Sequence, residues 1–243
     1  MTPDTPAPAA KRSTLNARVE KIFDHASDTR SLFLSLISGK HLRFVPGQFI
    51  SITIPLGDER RSRPYSIASD PEDRGPFEIC FNRVEGGRGV QWLFERHVGD
   101  TLDFSGPFGT FTIDRAPETE LVFVVEGTAI APIRPMLKRA LASSSTHKIH
   151  LIYAAPDREH ILCAAELDAL ERSAPNFSFE TLIAPADKIY DRLFETAQAR
   201  WVDADTDRTR HFYICGVGKG VIRLRDVLRG AGYERRSVHY EQW

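Results

Sequence analysis

Apolar and polar residues alternate over short stretches in the first half of the chain. These stretches are separated by turn signals such as Pro46-Gly47, Gly57-Asp58 and Gly86-Gly87, in which glycine and proline favour the backbone angles of tight turns. The pattern predicts one short helix at 90–97 and six strands at 17–23, 29–35, 49–54, 65–68, 77–81 and 101–105. Many short strands joined by turns are typical of an antiparallel barrel or sandwich.

The pattern changes near Pro117. Residues 121–125 form a continuous apolar run, which is typical of a strand buried on both faces. Further strands are expected at 149–153, 177–182, 211–215 and 237–240, and helices at 133–141, 162–172, 191–198 and 221–229. Strands alternating with helices predict a doubly wound parallel sheet. We therefore expect an α/β protein of two domains, at 15–116 and 117–243, after a disordered, polar tail at 1–14.

Composition excludes several classes of protein. The 243 residues carry 32 Lys and Arg against 33 Asp and Glu, a net charge of −1, so nucleic acid is an unexpected partner. No apolar run reaches the roughly 18 residues of a membrane span, and the first residues do not resemble a secretory signal. Cys80, Cys163 and Cys215 lie too far apart in sequence to predict a metal cluster or a disulfide framework. We expect a cytoplasmic protein without a metal site.

The segment Arg63-Pro64-Tyr65-Ser66 enters a predicted strand after an arginine-rich loop at 60–62. A guanidinium can pair with a phosphate, a phenol can cover an aromatic ring, and a hydroxyl can bond to a ring nitrogen. The segment can therefore clamp a flat anionic cofactor. The alternative is an edge strand with an exposed arginine and a tyrosine in the core.

Three further segments have a chemical and a structural interpretation. Residues 85–90, with Gly87, Arg88 and Gly89 before a helix, offer free N–H groups to a pyrophosphate, or form a plain hairpin turn. Residues 127–132 follow the first parallel strand, where open α/β sheets bind dinucleotides, or make a tight connection only. Cys215-Gly216 ends a strand at the same edge of the sheet, where the cysteine is reactive or simply buried.

The order and spelling of these motifs resemble the ferredoxin–NADP⁺ reductase superfamily of FAD-dependent reductases, from Leu15 onward. The resemblance implies a β-barrel that binds FAD and a parallel-sheet domain that binds NADH or NADPH. A Gly-Pro-x-Gly turn at 106–109 would close the barrel, and the final Trp243 would stack on the flavin, as in plant-type members. The resemblance implies cofactor contacts by Arg63, Pro64, Tyr65, Ser66, Arg83, Gly87, Arg88, Gly89, Val90, Gly127, Thr128, Ala129, Pro132, Cys215, Gly216 and Trp243.

Three positions depart from the family pattern. Ala129 stands where a third glycine is usual, and its methyl group could crowd the pyrophosphate. Val90 stands where serine or threonine is usual, so one hydrogen bond to phosphate is missing, worth about 1.5–3 kcal/mol if nothing replaces it. Val217 follows the Cys-Gly pair in place of the more common proline or leucine.

The resemblance also implies a mechanism, in which hydride passes from the nucleotide to FAD and single electrons then pass to a partner. Ser66 would lie near the reactive flavin nitrogen, Cys215 would pack against the nicotinamide, Glu241 would donate a proton or a polar contact, and Trp243 would move aside. The chain lacks a Cys-x₄-Cys-x₂-Cys run, so the expected acceptor is a separate carrier, such as a ferredoxin or an oxygenase component. The alternatives are a free flavin reductase and a non-catalytic electron-relay subunit.

Two details of recognition are open in the sequence. Asp157, which Arg158 follows directly, would suit a free ribose and gives NADH a slight preference. In contrast, a second set of residues resembles the set that holds a 2′-phosphate in plant-type members: Lys188, Tyr190 and Arg192. Five arginines either steer an acidic carrier or form a solvated surface: Arg223, Arg225, Arg229, Arg235 and Arg236.

Overall fold

A computed structural model describes residues 14–143 and 146–243 of the chain. The disordered tail expected at 1–14 lies outside the described residues except for Thr14, and two serines of the polar loop near residue 145 lie outside them as well. Across the described residues, none of the helices is both long enough and apolar enough to cross a bilayer.

The first domain is a six-stranded antiparallel sheet that closes into a barrel. A bridge between Ile67 and Ile79 joins its two outer strands, and alternate residues such as Ile50, Ile52 and Ile54 fill the interior, as the two-residue period of a strand requires. The strands, in the spatial order β4-β3-β6-β1-β2-β5, are β1 (Leu15–Ala26), β2 (Thr29–Leu36), β3 (Phe49–Leu56), β4 (Glu59–Ser66), β5 (Phe77–Asn82) and β6 (Thr101–Phe108).

Strand β4 is longer than the sequence predicted. The arginines at 60 and 61, expected in a loop, pair with Pro55 and Ile54 of β3. Residues 59–64 are exposed, and charged side chains are common on edge strands because they discourage pairing with another chain. Burial periodicity cannot find a strand whose side chains all face water. The single helix of this domain, α1 (Arg88–Phe94), buries Leu93 in the barrel core.

The second domain is a five-stranded parallel sheet with helices on both faces, as predicted. Its strands lie in the order β11-β10-β7-β8-β9, and separate apolar clusters fill the two faces. The elements are β7 (Leu121–Glu126), α2 (Ile130–Ala142), β8 (Ile149–Ala155), α3 (Ala164–Ser173), β9 (Phe177–Ile183), α4 (Ile189–Gln198), β10 (His211–Gly216), α5 (Lys219–Gly230) and β11 (Val238–Gln242).

The winding of this sheet reverses beside β7. The chain runs from β7 outward to β8 and β9, and then returns to the other side of β7 to form β10 and β11. The connections that leave the carboxyl ends of β7 and β10 therefore go to opposite faces of the sheet. Such a reversal opens a crevice at the strand ends, where open α/β sheets bind their ligands.

We expect Trp201→Ala to destabilise the parallel-sheet domain by about 3–5 kcal/mol, the usual cost of removing a buried aromatic side chain. Trp201 is 2% exposed, packs edge-on against Phe212 with ring centroids 5.8 Å apart, and its carbonyl accepts a hydrogen bond from the Tyr233 hydroxyl at 2.8 Å. Urea unfolding followed by circular dichroism measures the change.

Trp243→Ala is the matched control, because Trp243 is 42% exposed and truncation of a surface side chain costs less than about 1 kcal/mol. Equal losses in the two variants would contradict the assignment of Trp201 to the core.

Candidate functional site

A cavity of about 440 Å³ lies where the barrel meets the parallel sheet. Most of its wall is apolar, and both domains contribute to it. Its lining residues are Phe49, Pro64, Tyr65, Ser66, Cys80, Phe81, Asn82, Val84 and Val90 from the barrel, and Thr128, Glu241, Gln242 and Trp243 from the parallel-sheet domain. The two domains thus form one site, which neither could form alone.

The Arg-x-Tyr-Ser segment supplies one wall of this pocket. Ser66 is buried, and the Tyr65 ring packs edge-on against Phe81 with centroids 5.7 Å apart. Burial raises the pKa of Tyr65 to about 12, so its hydroxyl stays protonated. The charged end of Arg63 is exposed and donates to the Ser62 carbonyl at 3.0 Å. This arrangement puts the apolar ring inside and the cation at the rim.

The glycine-rich turn before α1 lies directly against β4. A Cβ atom placed on Gly89 would meet Arg63 Cγ at 3.6 Å and Ile54 Cδ1 at 3.2 Å, so the missing side chain allows the close approach. Gly87 precedes the helix without a side-chain cap, Arg88 is exposed, and Val90 turns toward the pocket. The first turn of α1 therefore packs against Arg63 beside the cavity, but the N–H groups of Gly87 and Arg88, expected to be free, already donate to the Val84 and Gly86 carbonyls.

Arg83 has a different environment from the one expected. Its guanidinium carbon lies 3.9 Å from the centre of the Phe94 ring, and it is not among the residues that line the pocket. A cation stacked on an aromatic face is already stabilised, so Arg83 braces the end of α1 in this structure.

The segment at 127–132 divides into an exposed part and a buried part. Gly127 follows β7 with φ +53°, and the Thr128 hydroxyl donates to Asn82 Oδ1 of the barrel at 3.1 Å. Ala129 and Pro132 are buried in the core. The methyl group of Ala129 is therefore directed into the protein, away from the crevice that it was expected to crowd.

The end of β11 lies beside the end of β10. Glu241 is in register with Cys215, and Gln242 with Gly216. Trp243 N–H donates to the Gly216 carbonyl at 3.0 Å, and Gly218 N–H donates to the Trp243 carbonyl at 3.3 Å. The main chain of Trp243 is held at both polar groups, while its ring lines the pocket and is half-exposed.

Burial changes the protonation of the acidic groups at this edge. It raises the pKa of the Cys215 thiol well above its usual range, so Cys215 is neutral and a poor nucleophile. Burial also raises the pKa of Glu241, although the Trp243 indole opposes this by donating to its Oε2 at 3.2 Å. Burial at the pocket floor thus favours the neutral form of both groups.

Tyr190 lies in the crevice itself. Its ring covers Gly216 and Gly220, where any added Cβ would collide with it. Its hydroxyl donates to Glu126 Oε2 at 3.2 Å and accepts a short hydrogen bond from Val217 N–H. The Tyr190 hydroxyl is thus engaged within the crevice, while Lys188 is exposed and Arg192 pairs with Glu195.

Asp157 is occupied by contacts within its own loop. One carboxylate oxygen accepts from the main-chain N–H groups of Glu159 at 2.9 Å and His160 at 3.1 Å, and lies 2.7 Å from His160 Nδ1. His160 Nε2 lies 3.0 Å from Asp28 Oδ1 of the barrel. Asp157 therefore helps to join the two domains, which weakens the argument that it selects NADH by binding a ribose.

Most of the arginines considered for docking a carrier have neighbouring partners. Arg223 pairs with Asp191, Arg225 with Asp226, and Arg236 with Glu234, and Arg229 donates to the Val238 carbonyl. A surface whose charges are neutralised locally steers an acidic partner weakly. The interpretation as a solvated surface is favoured.

The structure brings Pro64, Tyr65, Ser66, Val90, Thr128, Glu241 and Trp243 together around one cavity. Gly127, Cys215 and Gly216 lie at the adjoining strand ends, and Arg158 and Lys188 are exposed beyond them. The pocket residues that the sequence did not predict are Phe49, Cys80, Phe81, Asn82, Val84 and Gln242, which belong to no recognisable motif.

The comparisons with known proteins agree with this architecture. Residues 16–113 match the oxidoreductase FAD-binding domain family and residues 123–224 match the oxidoreductase NAD-binding domain family. A cytochrome P450 reductase from Amycolatopsis has the same fold, with a TM-score of 0.80 over 95% of this chain and 69% of that one, at 24% identity. The fold and the two matched families define an FAD- and NAD(P)-binding oxidoreductase.

Two curated relatives place the chain more closely. The chain is 31% identical to ferredoxin–NADP reductase B of Sorangium cellulosum over 222 residues, 88% of this chain and 91% of that protein. It is 26% identical to the toluate 1,2-dioxygenase electron transfer component of Pseudomonas putida, over 93% of this chain and 67% of that protein. The chain belongs to the ferredoxin–NADP⁺ reductase superfamily.

His160 makes one contact between the domains sensitive to pH. Its hydrogen bond to Asp157, reinforced by Asp28, raises the pKa of His160 above its usual value. This contribution to stability is fully present below the unfolded-state pKa of about 6.5 and is lost as the pH rises through the higher folded-state pKa. We expect the stability difference between the wild type and His160→Gln to be largest near pH 6 and to shrink toward pH 9 in urea unfolding.

His41→Gln, which changes an exposed histidine between β2 and β3, is the control and should show no such trend. A stability difference for His160→Gln that does not vary with pH would rule out the charged bridge.

Proposed function

We propose that this protein is an NADPH-dependent reductase with FAD as its bound cofactor, and that it passes electrons singly to a separate carrier protein, as a ferredoxin reductase or the reductase component of an oxygenase. The observation that carries the proposal is the shared pocket, where Tyr65 and Ser66 of the barrel face Thr128 and Trp243 of the parallel-sheet domain. Both the FAD-binding and the NAD-binding families match the chain.

The residues around the pocket fit FAD. The apolar cavity between Tyr65 and Trp243 suits a flat ring system, and the rim that carries Arg63, Gly87 and Gly89 suits a pyrophosphate. Bound FAD would accept two electrons from the nucleotide and pass them on one at a time. In this proposal Tyr65 packs on the ring, Ser66 offers a hydroxyl to it, and Arg63 and Arg88 neutralise the phosphates. Val90 contributes apolar contact only.

The nicotinamide dinucleotide is proposed to bind along the crevice that begins at Gly127, against the Tyr190 ring that covers Gly216. Arg158 and Lys188 follow the ends of β8 and β9, which pair as neighbours, and both are exposed. Two cations at that edge suit a 2′-phosphate, whereas Asp157 is already engaged by His160. These contacts, and the name of the Sorangium relative, support NADPH over the slight preference for NADH that Asp157 gave in the sequence.

The proposed roles at the reacting centre follow from burial. Cys215 remains a neutral thiol and packs against the nicotinamide. Glu241, whose pKa is raised by burial, holds a proton more readily than an exposed glutamate and can donate it within the pocket. The ring of Trp243 covers the flavin until the nucleotide displaces it.

The carrier is proposed to meet the protein at the open side of the pocket. Val84 and Trp243 line the cavity and are exposed, and Val217, which lies between the two glycines hydrogen-bonded to the Trp243 main chain, is exposed as well. Exposed apolar residues grouped at one place are typical of protein contact sites. We also propose a cytoplasmic location, supported by three cysteines that are unpaired.

The first test combines gel filtration, an absorbance spectrum and anaerobic titration of the purified protein. We expect FAD to remain bound through the column and to be reduced by NADPH with a kcat/KM at least about tenfold above that for NADH, since a charge-assisted contact contributes about 1.5–3 kcal/mol. Reduction of a ferredoxin at the expense of NADPH completes the test.

The outcomes separate the possible functions. Loss of FAD on the column with reduction of added free flavin would indicate a free flavin reductase. Retained FAD that neither nucleotide reduces would indicate an electron-relay subunit. A protein that neither retains nor binds FAD would exclude the proposal.

Trp243→Gly is expected to raise the affinity for NADP⁺ about two- to tenfold. The nucleotide no longer has to displace a ring whose stacking contributes about 0.5–1.5 kcal/mol, and the main-chain bonds of residue 243 are kept. Difference absorbance during NADP⁺ titration measures the affinity. Trp243→Phe keeps a ring and should behave like the wild type; a glycine variant with unchanged affinity would remove this role for Trp243.

A further inference from the structure

One face of β5 points toward the parallel-sheet domain. Glu78, Cys80 and Asn82 alternate along the strand, so their side chains share this face. Cys80 and Asn82 line the pocket, and Asn82 accepts the hydrogen bond from Thr128. The same strand that walls the flavin pocket therefore also contacts the start of the dinucleotide segment.

Glu78 makes a buried ion pair across the domain boundary. Its side chain is 7% exposed, and its Oε2 lies 2.6 Å from Nη1 of Arg134, on helix α2 of the other domain. The other oxygen accepts from the Ser31 hydroxyl at 2.6 Å, and Ser31 Oγ lies 2.8 Å from His25 Nε2. Both carboxylate oxygens of Glu78 are thus held in one orientation.

Arg134 is equally constrained within its own domain. Its Nε and Nη2 atoms lie 2.8 and 2.7 Å from Glu166 Oε2 of α3, and Lys138 lies 3.0 Å from the other oxygen of Glu166. The guanidinium therefore has one carboxylate on each side of the boundary. Helix α2 begins at Ile130, directly after the turn at 127–129, so Arg134 lies about one helical turn from the dinucleotide segment.

We propose that Glu78 and Arg134 are positioning residues for hydride transfer: their ion pair fixes the distance between the flavin pocket and the dinucleotide crevice. The inference rests on the proposed function and names a determinant of its rate. Neither residue lines the pocket, so the pair acts through β5 and α2 rather than by touching either cofactor.

The consequence is a specific kinetic signature. The residues proposed to bind the FAD phosphates lie in the barrel and those proposed to bind the nucleotide lie in the parallel-sheet domain, so both affinities should change little when the pair is broken. Transfer between them depends on their separation, and a displacement of about 1 Å lowers such a rate about a hundredfold. A loss confined to the transfer step distinguishes positioning from general support of the fold.

The test is Glu78→Gln in the full-length flavoprotein, studied by anaerobic stopped-flow reduction with NADPH. We expect the limiting rate of flavin reduction to fall about ten- to a hundredfold, with a primary isotope effect from deuterated NADPH. Dissociation constants for FAD and NADP⁺ should change less than about threefold. Amide hydrogen exchange before NADPH is added should rise in residues 77–82 and 127–137.

Glu166→Gln is the matched control. It neutralises the other carboxylate on the same arginine, but that contact lies wholly within the parallel-sheet domain. We expect its reduction rate to stay within about threefold of the wild type. If Glu78→Gln does not fold, Ser31→Ala, which keeps both charges and frees one oxygen of Glu78, should show the same pattern with a smaller loss.

The inference is overturned if Glu78→Gln reduces flavin at the wild-type rate, if Glu166→Gln loses as much, or if affinity for the nucleotide falls together with the rate. A wild-type protein that neither NADPH nor NADH reduces would instead overturn the proposed function itself. The two failures are therefore distinguishable in one set of measurements.

Discussion

The contact between the face of β5 that carries Glu78 and the start of α2 is the constraint on which the site depends. The pocket has one wall from each domain, and one apolar cluster crosses the boundary, where Phe111 of the barrel domain packs edge-on against Tyr213 with ring centroids 5.9 Å apart. Apolar packing is non-directional, and the pair of Glu78 with Arg134 adds a contact of fixed geometry to it. Buried ion pairs contribute little net stability because desolvation offsets their attraction, but their geometry is demanding. We interpret this pair as fixing the distance between β5 and α2 rather than as adding net stability.

In the parallel sheet the candidate functional residues lie at the carboxyl ends of the strands or directly after them. The reversal beside β7 places Gly127 and Gly216 on neighbouring strands, and the parallel register sets Glu241 beside Cys215. Register in a sheet is fixed by many main-chain hydrogen bonds. The positions of these side chains are therefore defined more precisely than they would be on a mobile loop. The ring of Trp243 is the exception: its main chain is held while its side chain is half-exposed, which suits a group that must move.

The sequence was sufficient for the two-domain fold and for the motif residues around the pocket, because burial periodicity and glycine placement have direct structural causes. The sequence was insufficient where a residue's environment is set by a partner far away in the chain. Asp157 was interpreted as a ribose ligand, but its histidine neighbour bridges to Asp28, 132 residues away from His160. In the sequence Glu78 is one polar residue in a largely apolar strand, and none of the neighbouring residues indicates that Arg134 pairs with it. The edge strand β4 was partly missed because all of its first six residues face water.

The distribution of charge explains how one pocket can serve two anionic cofactors. Burial raises the pKa values of Tyr65, Cys215 and Glu241, so the groups nearest the proposed rings tend toward their neutral forms. Arg63, Arg158 and Lys188 are exposed and do not line the cavity, so phosphates bound by them in the proposed complex would remain partly hydrated. Phosphates can then be bound without bringing charge into the apolar centre, and the centre can exclude water without having to solvate an ion. The separation of the exposed cations from the apolar centre follows from the architecture. Strands supply most of the pocket interior, and the connections at their ends supply the exposed residues around it.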